Sequence, residues 1–84
     1  MAAHDDPDNL EVAVTLTRLS NAQTGFVNAR AKRDMLEQAL RIQEAHYGPD
    51  HAEVVRTLVS LGTAHGALGD ARKMRDMLER ALRI

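Results

Sequence analysis

The amino-acid sequence predicts an all-α fold in which two tandem helix-turn-helix units supply four antiparallel helices. Three observations predict it. The chain repeats itself at a fixed spacing, apolar residues recur at three- and four-residue steps, and glycine, proline, asparagine or aspartate punctuates the expected helix ends. Strand-like alternation is not sustained in either unit, so a β fold is disfavoured.

The repetition is direct. The segment RDMLEQALRI at 33–42 returns as RDMLERALRI at 75–84, with Arg80 in place of Gln38. Sliding the chain by this spacing of 42 residues needs no gap and leaves half of the aligned positions identical. A fixed period of about 20 to 50 residues is typical of repeat arrays. We therefore divide the 84-residue chain, a single small domain, into repeat one (1–42) and repeat two (43–84).

Repeat one is predicted to hold helices over about 9–25 and 29–46. The turn between them, at 25–28, offers Asn28 as the N-cap and has Val27 where repeat two has Gly69. Valine disfavours positive φ, so we expect this turn to have a different shape. Apolar residues form one stripe on each helix: Val12, Leu16, Leu19, Ala22 and Phe26, then Met35, Leu36, Ala39 and Leu40.

Repeat two is predicted to hold helices over about 51–67 and 71–84. Pro49 and Asp50 are expected to open the first helix, Gly69 to end it in the left-handed region, and Asp70 to cap the next. Its apolar stripes are Val54, Leu58, Leu61, Ala64 and Leu68, then Met74, Met77, Leu78, Ala81 and Leu82.

Composition narrows the classes of function. The chain has 11 basic and 12 acidic residues and only two aromatic ones, which disfavours a nucleic-acid partner. It has no cysteine, no apolar run of about 20 residues and no signal peptide at its N-terminus, so we expect a soluble, cytoplasmic protein that does not engage a membrane.

Catalytic and metal-binding patterns are also weak. The sequence contains no glycine-rich phosphate loop, and its serines, histidines and aspartates do not recur in a triad-like arrangement. His46 and His51 flank a turn and could bind a metal together with His4 or His65, but helix-boundary histidines are common and no paired spacing supports a site. We expect neither an enzyme nor a bound cofactor or metal.

Each unit resembles the tetratricopeptide repeat. Repeat two reads Leu58-x2-Leu61-Gly62-x2-His65 and then Met74-x3-Leu78 and Ala81, and repeat one reads Leu16-x2-Leu19-Ser20-x2-Gln23 and then Lys32-x3-Leu36 and Ala39. The 42-residue period and the linker YGPDHAEV resemble the longer variety found in kinesin light chains. Met74 and Lys32 stand where the family usually has a small alanine, which indicates a variant contact between the paired helices.

This resemblance implies an α-solenoid with right-handed superhelical stacking, whose first helices line a concave face that binds a peptide or a partner helix. Asn21 falls where clamp-type members carry an asparagine, and Arg18 and Arg56 can supply charge-assisted contacts. Ordinary solvated polar residues are the simpler interpretation of the same positions. The implied concave positions are Val14, Thr17, Arg18, Asn21 and Gly25 in repeat one, and Arg56, Val59, Ser60, Thr63 and Ala67 in repeat two.

The last predicted helix keeps a full apolar stripe although no further unit follows it in the sequence. Repeats of this kind are stabilised mainly by their neighbours. We therefore expect either a fragment of a longer array or self-association, as a dimer or an end-to-end stack, through Met77, Ala81, Leu82 and Ile84.

Arginines interleaved with acidic residues mark the second helix of each repeat. A solvated outer face explains them most simply, and a basic docking surface is the alternative. These residues are Arg30, Arg33, Arg41, Arg72, Arg75 and Arg83.

Overall fold

A computed structural model describes residues 9–22 and 28–84 of the chain. Within these ranges the backbone forms four α-helices: α1 (Leu10–Ala22), α2 (Ala29–Tyr47), α3 (Ala52–Ala67) and α4 (Ala71–Arg83). Successive helices pack against each other, α1 on α2, α2 on α3 and α3 on α4. The predicted all-α fold of two helix-turn-helix units is confirmed.

The turn between α1 and α2 is described only at Asn28, because Gly25, Phe26 and Val27 lie outside the described residues. Asn28 occupies the N-cap position of α2, as predicted, with φ −94° and ψ 4°. Its side chain makes no capping hydrogen bond, so the predicted capping role is wrong. The backbone at Asn28 has near-helical angles, whereas a capping side chain usually needs an extended backbone to reach the free amides.

The start of α3 corrects the sequence prediction. His51, rather than Asp50, is the N-cap, and its Nδ1 accepts a hydrogen bond of 3.0 Å from the Glu53 amide. The His51 ring also stacks on the Tyr47 ring, with centroids 4.1 Å apart. His51 has the extended backbone, at φ −85° and ψ 151°, that a capping side chain requires. Gly48 ends α2 at φ 88°.

The turn from α3 to α4 is a Schellman motif, and both of its predicted residues are confirmed. Gly69 has φ 86° and donates to the Gly66 carbonyl at 3.0 Å, and the Asp70 amide donates to the His65 carbonyl at 2.9 Å. The Asp70 side chain then accepts from the Lys73 amide at 3.1 Å, which caps α4. The hydrogen bonds of this turn therefore satisfy backbone groups at the end of α3 and at the start of α4.

The largest hydrophobic cluster lies between α2 and α3, with α4 packed against its edge. It consists of Leu36, Leu40, Val54, Leu58 and Leu61, and the partly buried Met77 and Ala81 pack on it. A smaller cluster joins α1 to α2 through Ala13, Ala39 and Ile42, with Leu10, Val12 and Leu16 packed against it. Helix α2 thus belongs to both clusters and lies at the centre of the fold.

The predicted stripe on α1 is less buried than its counterpart on α3. Leu61 is completely buried, whereas the equivalent Leu19 is 47% exposed. Leu61 lies on a helix that packs against both α2 and α4, whereas α1 packs mainly on α2 within the described residues. The expectation that Leu19 faces the core is therefore wrong for this structure.

The one difference within the repeated decapeptide has a structural role. Arg80 hydrogen-bonds through its guanidinium to the carboxylate of Glu44 on α2, and the two side chains are partly buried. Gln38, at the equivalent position on α2, carries no charge with which to form such a pair. Arg80 consequently connects two outer helices that are not consecutive in the chain.

Helices α3 and α4 approach closely at two glycines. A Cβ atom on Gly62 would lie 3.3 Å from the Cβ of Met77 and 3.4 Å from the Met74 carbonyl oxygen. A Cβ atom on Gly66 would collide with the thioether sulfur of Met74. Gly66 therefore makes room for Met74, which stands where the resemblance implies a small alanine. In repeat one the residue equivalent to Gly62 is Ser20, which is fully buried.

Replacing Gly62 with leucine should lower the free energy of unfolding by about 1–3 kcal/mol, because the added side chain would press on the α4 backbone. Leucine is a good helix former, so a loss would report packing rather than helix propensity. Urea denaturation followed by circular dichroism measures it. The matched variant Gly66→Ala should change stability by less than about 1 kcal/mol, because the flexible Met74 side chain can move aside. Equal losses in the two variants would contradict this account.

Candidate functional site

A groove of about 500 Å³ opens between α1 and α3, with α2 contributing to its floor. Its size falls within the range of about 300–1,000 Å³ that is usual for ligand pockets in proteins. The groove is lined by Thr17 and Asn21 of α1, Gln43 of α2, and Glu53, Val55, Arg56, Thr57, Val59 and Ser60 of α3.

Five of the predicted concave-face residues meet at this groove, namely Thr17, Asn21, Arg56, Val59 and Ser60. Helical geometry explains why they share one face. Thr17 and Asn21 are four residues apart, and Arg56 is followed by Val59 and Ser60 at three and four residues, so each set lies on one side of its helix.

The other predicted concave positions lie elsewhere. Val14, Arg18 and Thr63 are exposed but do not line the groove. Ala67 is half-buried near the end of α3, and Gly25 lies outside the described residues. The groove therefore uses the end of α1 and the start of α3.

Gln43 is a groove residue that the sequence analysis missed, because α2 was expected to lie wholly on the outer side. It is 5% exposed, and its Oε1 accepts a hydrogen bond of 2.5 Å from the buried Thr57 hydroxyl. The spacing of apolar residues on α2 could have identified Gln43. Gln43 follows Leu36 by seven residues and Leu40 by three, so it is a polar residue on the core-facing stripe of α2.

Glu53, Val55 and Thr57 were also missed. Glu53 lies 3.8 Å from Arg56, as a carboxylate–guanidinium pair one helical turn apart. The Arg56 side chain remains 80% exposed, so this pair is loose and the guanidinium stays accessible from the groove. Val55 and Val59 add apolar surface between the polar groups.

The groove offers hydrogen-bonding groups and one accessible cation. The Thr17 hydroxyl donates to the Ala13 carbonyl at 2.9 Å, which leaves its oxygen able to accept. Asn21 and Gln43 carry side-chain amides, and Ser60 carries a hydroxyl. Such groups can recognise the donors and acceptors of another polypeptide.

Residues 9–22 and 28–84 contain no cluster of three or more histidines, aspartates or glutamates able to hold a metal ion. His51 is instead a helix cap, and His65 lies buried on α3. None of the helices in these ranges has the length and apolar character needed to cross a membrane.

The four residues predicted for self-association divide into two pairs. Met77 and Ala81 are partly buried because they pack against the core. Leu82 and Ile84 are 86% and 40% exposed. The open apolar surface at the end of α4 is thus smaller than the predicted patch and is dominated by Leu82.

Comparison with known proteins agrees with the architecture. Two sequence models of the tetratricopeptide repeat match the chain, one over residues 33–84 and the other, of the kinesin light chain type, over residues 12–53. No curated protein and no solved structure matches it. Tetratricopeptide repeats are generally protein–protein interaction modules and typically non-catalytic scaffolds. The two matches together cover both helix pairs, and the chain belongs to the tetratricopeptide repeat family.

Proposed function

We propose that the chain is a non-enzymatic protein-binding module that holds an extended peptide in the groove between α1 and α3. One observation carries this proposal. Polar residues from two first helices, Asn21 on α1 and Arg56 and Ser60 on α3, converge on one groove with the Gln43 amide at its floor. The arrangement is concave, amphipathic and open to solvent along one side of the helix array.

Side-chain amides suit this role because each can donate and accept at the same time. An extended peptide presents one N–H and one C=O per residue, so Asn21 can satisfy both groups of a single residue. This recognises the backbone without reading the ligand's sequence. Val55 and Val59 provide apolar surface for a ligand side chain between these polar contacts.

Arg56 gives the groove a preference for an acidic group. Its guanidinium is accessible and only loosely paired with Glu53, so a ligand carboxylate can take a bidentate contact there. Glu53 lines the same groove and disfavours a second acidic group beside it. The best ligand is therefore an extended segment with one carboxylate near Arg56 and a neutral or apolar residue beside it.

Peptides selected from a random display library against the intact chain provide the probe for this proposal. A selected peptide should shift the NMR resonances of Asn21, Gln43, Arg56 and Ser60. Asn21→Ala or Arg56→Ala should weaken its binding by roughly 10-fold or more, because each removes a hydrogen bond to the ligand and the second removes a charge. Isothermal titration calorimetry measures the change.

Arg72→Ala is the matched control, because it removes an exposed arginine from α4 without touching the groove. It should leave peptide affinity unchanged. Shifts that cluster outside the groove, or an equal loss in the control, would show that the groove is not the binding surface.

The hydrogen bond between Thr57 and Gln43 should stabilise the floor of the groove. Thr57→Val should lower the free energy of unfolding by about 1–3 kcal/mol, because it leaves the buried Gln43 oxygen without its partner. Thr63→Val is the matched control. Thr63 donates to the carbonyl four residues back at 3.0 Å, as Thr57 does at 3.1 Å, but Thr63 is exposed. Chemical denaturation compares the two, and equal stability changes would argue against a structural role for the Gln43 contact.

A second candidate function is self-association, and the repeat itself supplies the observation that favours it. The same apolar sequence occurs on α2, where α3 covers it, and on α4. Leu40 is 8% exposed on α2, whereas its equivalent Leu82 is 86% exposed on α4. The α4 face therefore leaves uncovered the leucine that α3 covers on α2.

Helix α1 is such a helix. Its Val12, Leu16 and Leu19 are equivalent to Val54, Leu58 and Leu61, with which α3 packs into the core. A second copy can place its α1 on α4 in the register that α3 takes on α2. This contact is head-to-tail, so it propagates into an open stack instead of closing as a two-fold dimer.

Sedimentation velocity over a hundredfold range of concentration tests this stacking. The sedimentation coefficient should rise with concentration, and Leu82→Glu should abolish the rise, because a charge in the buried contact has no partner. Arg83→Glu, an exposed substitution beside it, should preserve assembly. A monomer that persists at every concentration would eliminate this second function.

A further inference from the structure

A second cavity, of about 380 Å³, lies where the start of α2, the end of α3 and the start of α4 meet. It is lined by Arg30, Arg33, Glu37, His65, Leu68, Asp70 and Lys73, and it shares no residue with the groove. We propose that this cavity binds a phosphate group, either free phosphate or one carried by a partner's side chain. The inference goes beyond the proposed peptide binding and does not depend on it.

His65 is the first reason. It is 3% exposed, and within residues 9–22 and 28–84 its Nε2 has no hydrogen-bond partner although it is buried. The Glu37 carboxylate lies 3.5 Å from this nitrogen and makes no hydrogen bond to it. An unsatisfied buried polar atom costs about 1–3 kcal/mol, so its retention calls for an explanation. A ligand oxygen in the cavity would supply the missing partner.

The charges around the cavity are the second reason. Three cations, Arg30, Arg33 and Lys73, and two carboxylates, Glu37 and Asp70, line it. Asp70 already accepts from the α4 backbone as its cap. Of the cations, Arg33 pairs with Asp34 at 3.0 Å, whereas Arg30 and Lys73 make no ion pair among the described residues. The cavity therefore holds cationic groups that an added anion can engage.

The position of these cations on their helices is the third reason. Arg30 and Lys73 lie in the first turns of α2 and α4, and neither first turn contains an acidic residue. Helix N-termini carry partial positive charge and are stabilised by acids, so basic residues there are unfavourable for the isolated helix. Arg30 and Lys73 therefore place positive charge beside two helix N-termini at this cavity, together with the negative charges of Glu37 and Asp70.

A phosphate fits this geometry better than a carboxylate does. The donors come from three helices, and a tetrahedral ion offers oxygens in several directions. A carboxylate presents two oxygens in one plane. Leu68 adds an apolar wall, against which the carbon chain of a phosphorylated side chain can lie.

The test uses inorganic phosphate and O-phosphoserine as separate probes. Each is titrated into the full chain at constant ionic strength, with sodium chloride as the reference, while NMR follows the His65 imidazole and the amides of 71–73. We expect saturable shifts at these groups. Lys73→Gln should weaken binding by roughly 10-fold, because a charge-assisted contact is lost. Tighter binding of phosphoserine would identify a side-chain phosphate as the ligand, and equal binding would identify the free ion.

Arg72→Gln is the matched control, since Arg72 is exposed in the same helical turn but does not line the cavity. It should leave both affinities unchanged. Because Lys73 and Arg72 are both exposed, circular dichroism should show the same helix content in the two variants. Shifts that fail to saturate, that chloride reproduces, or that weaken equally in both variants would overturn the proposal.

Discussion

The packing of α3 on α2 positions both of the surfaces proposed to bind a ligand. Leu36 and Leu40 of α2 meet Val54, Leu58 and Leu61 of α3 in the largest cluster of the protein. The groove opens on one side of α3, where Gln43 and Thr57 are hydrogen-bonded across the two helices. The cationic cavity opens beyond the other end of the same contact. The two proposed binding surfaces therefore depend on the same helix pair.

The fold could be predicted well from the sequence because the apolar spacing and the helix-end residues occur in both repeats. Apolar spacing, Gly69 and Asp70 each act within a few residues, and the 42-residue period is seen directly when the chain is aligned with itself. The helix cap at α3 was misassigned because Asp50 and His51 both have capping side chains, and only the backbone angles decide between them. The exposure of Leu19 depends on which helices flank α1, which no local pattern reveals.

The candidate site was predictable only in part. The first-helix residues of the groove follow from family resemblance and helical spacing, but Gln43 reaches the same groove from α2, through a contact with a residue fourteen positions away. The cationic cavity was not predicted. Arg30 and Arg33 were assigned to a solvated outer face, because their proximity to His65 and Lys73 arises from packing between distant segments.

The ion pair between Arg80 of α4 and Glu44 of α2 joins the second helices of the two repeats. Such an ion pair restrains the rotation of one helix pair relative to the next. The tilt between pairs determines the curvature of a stacked array and hence the width of its inner face. Because the pair is only partly buried, dissolved salt weakens it. Salt therefore weakens the link between α2 and α4 without touching the hydrophobic cluster between α2 and α3.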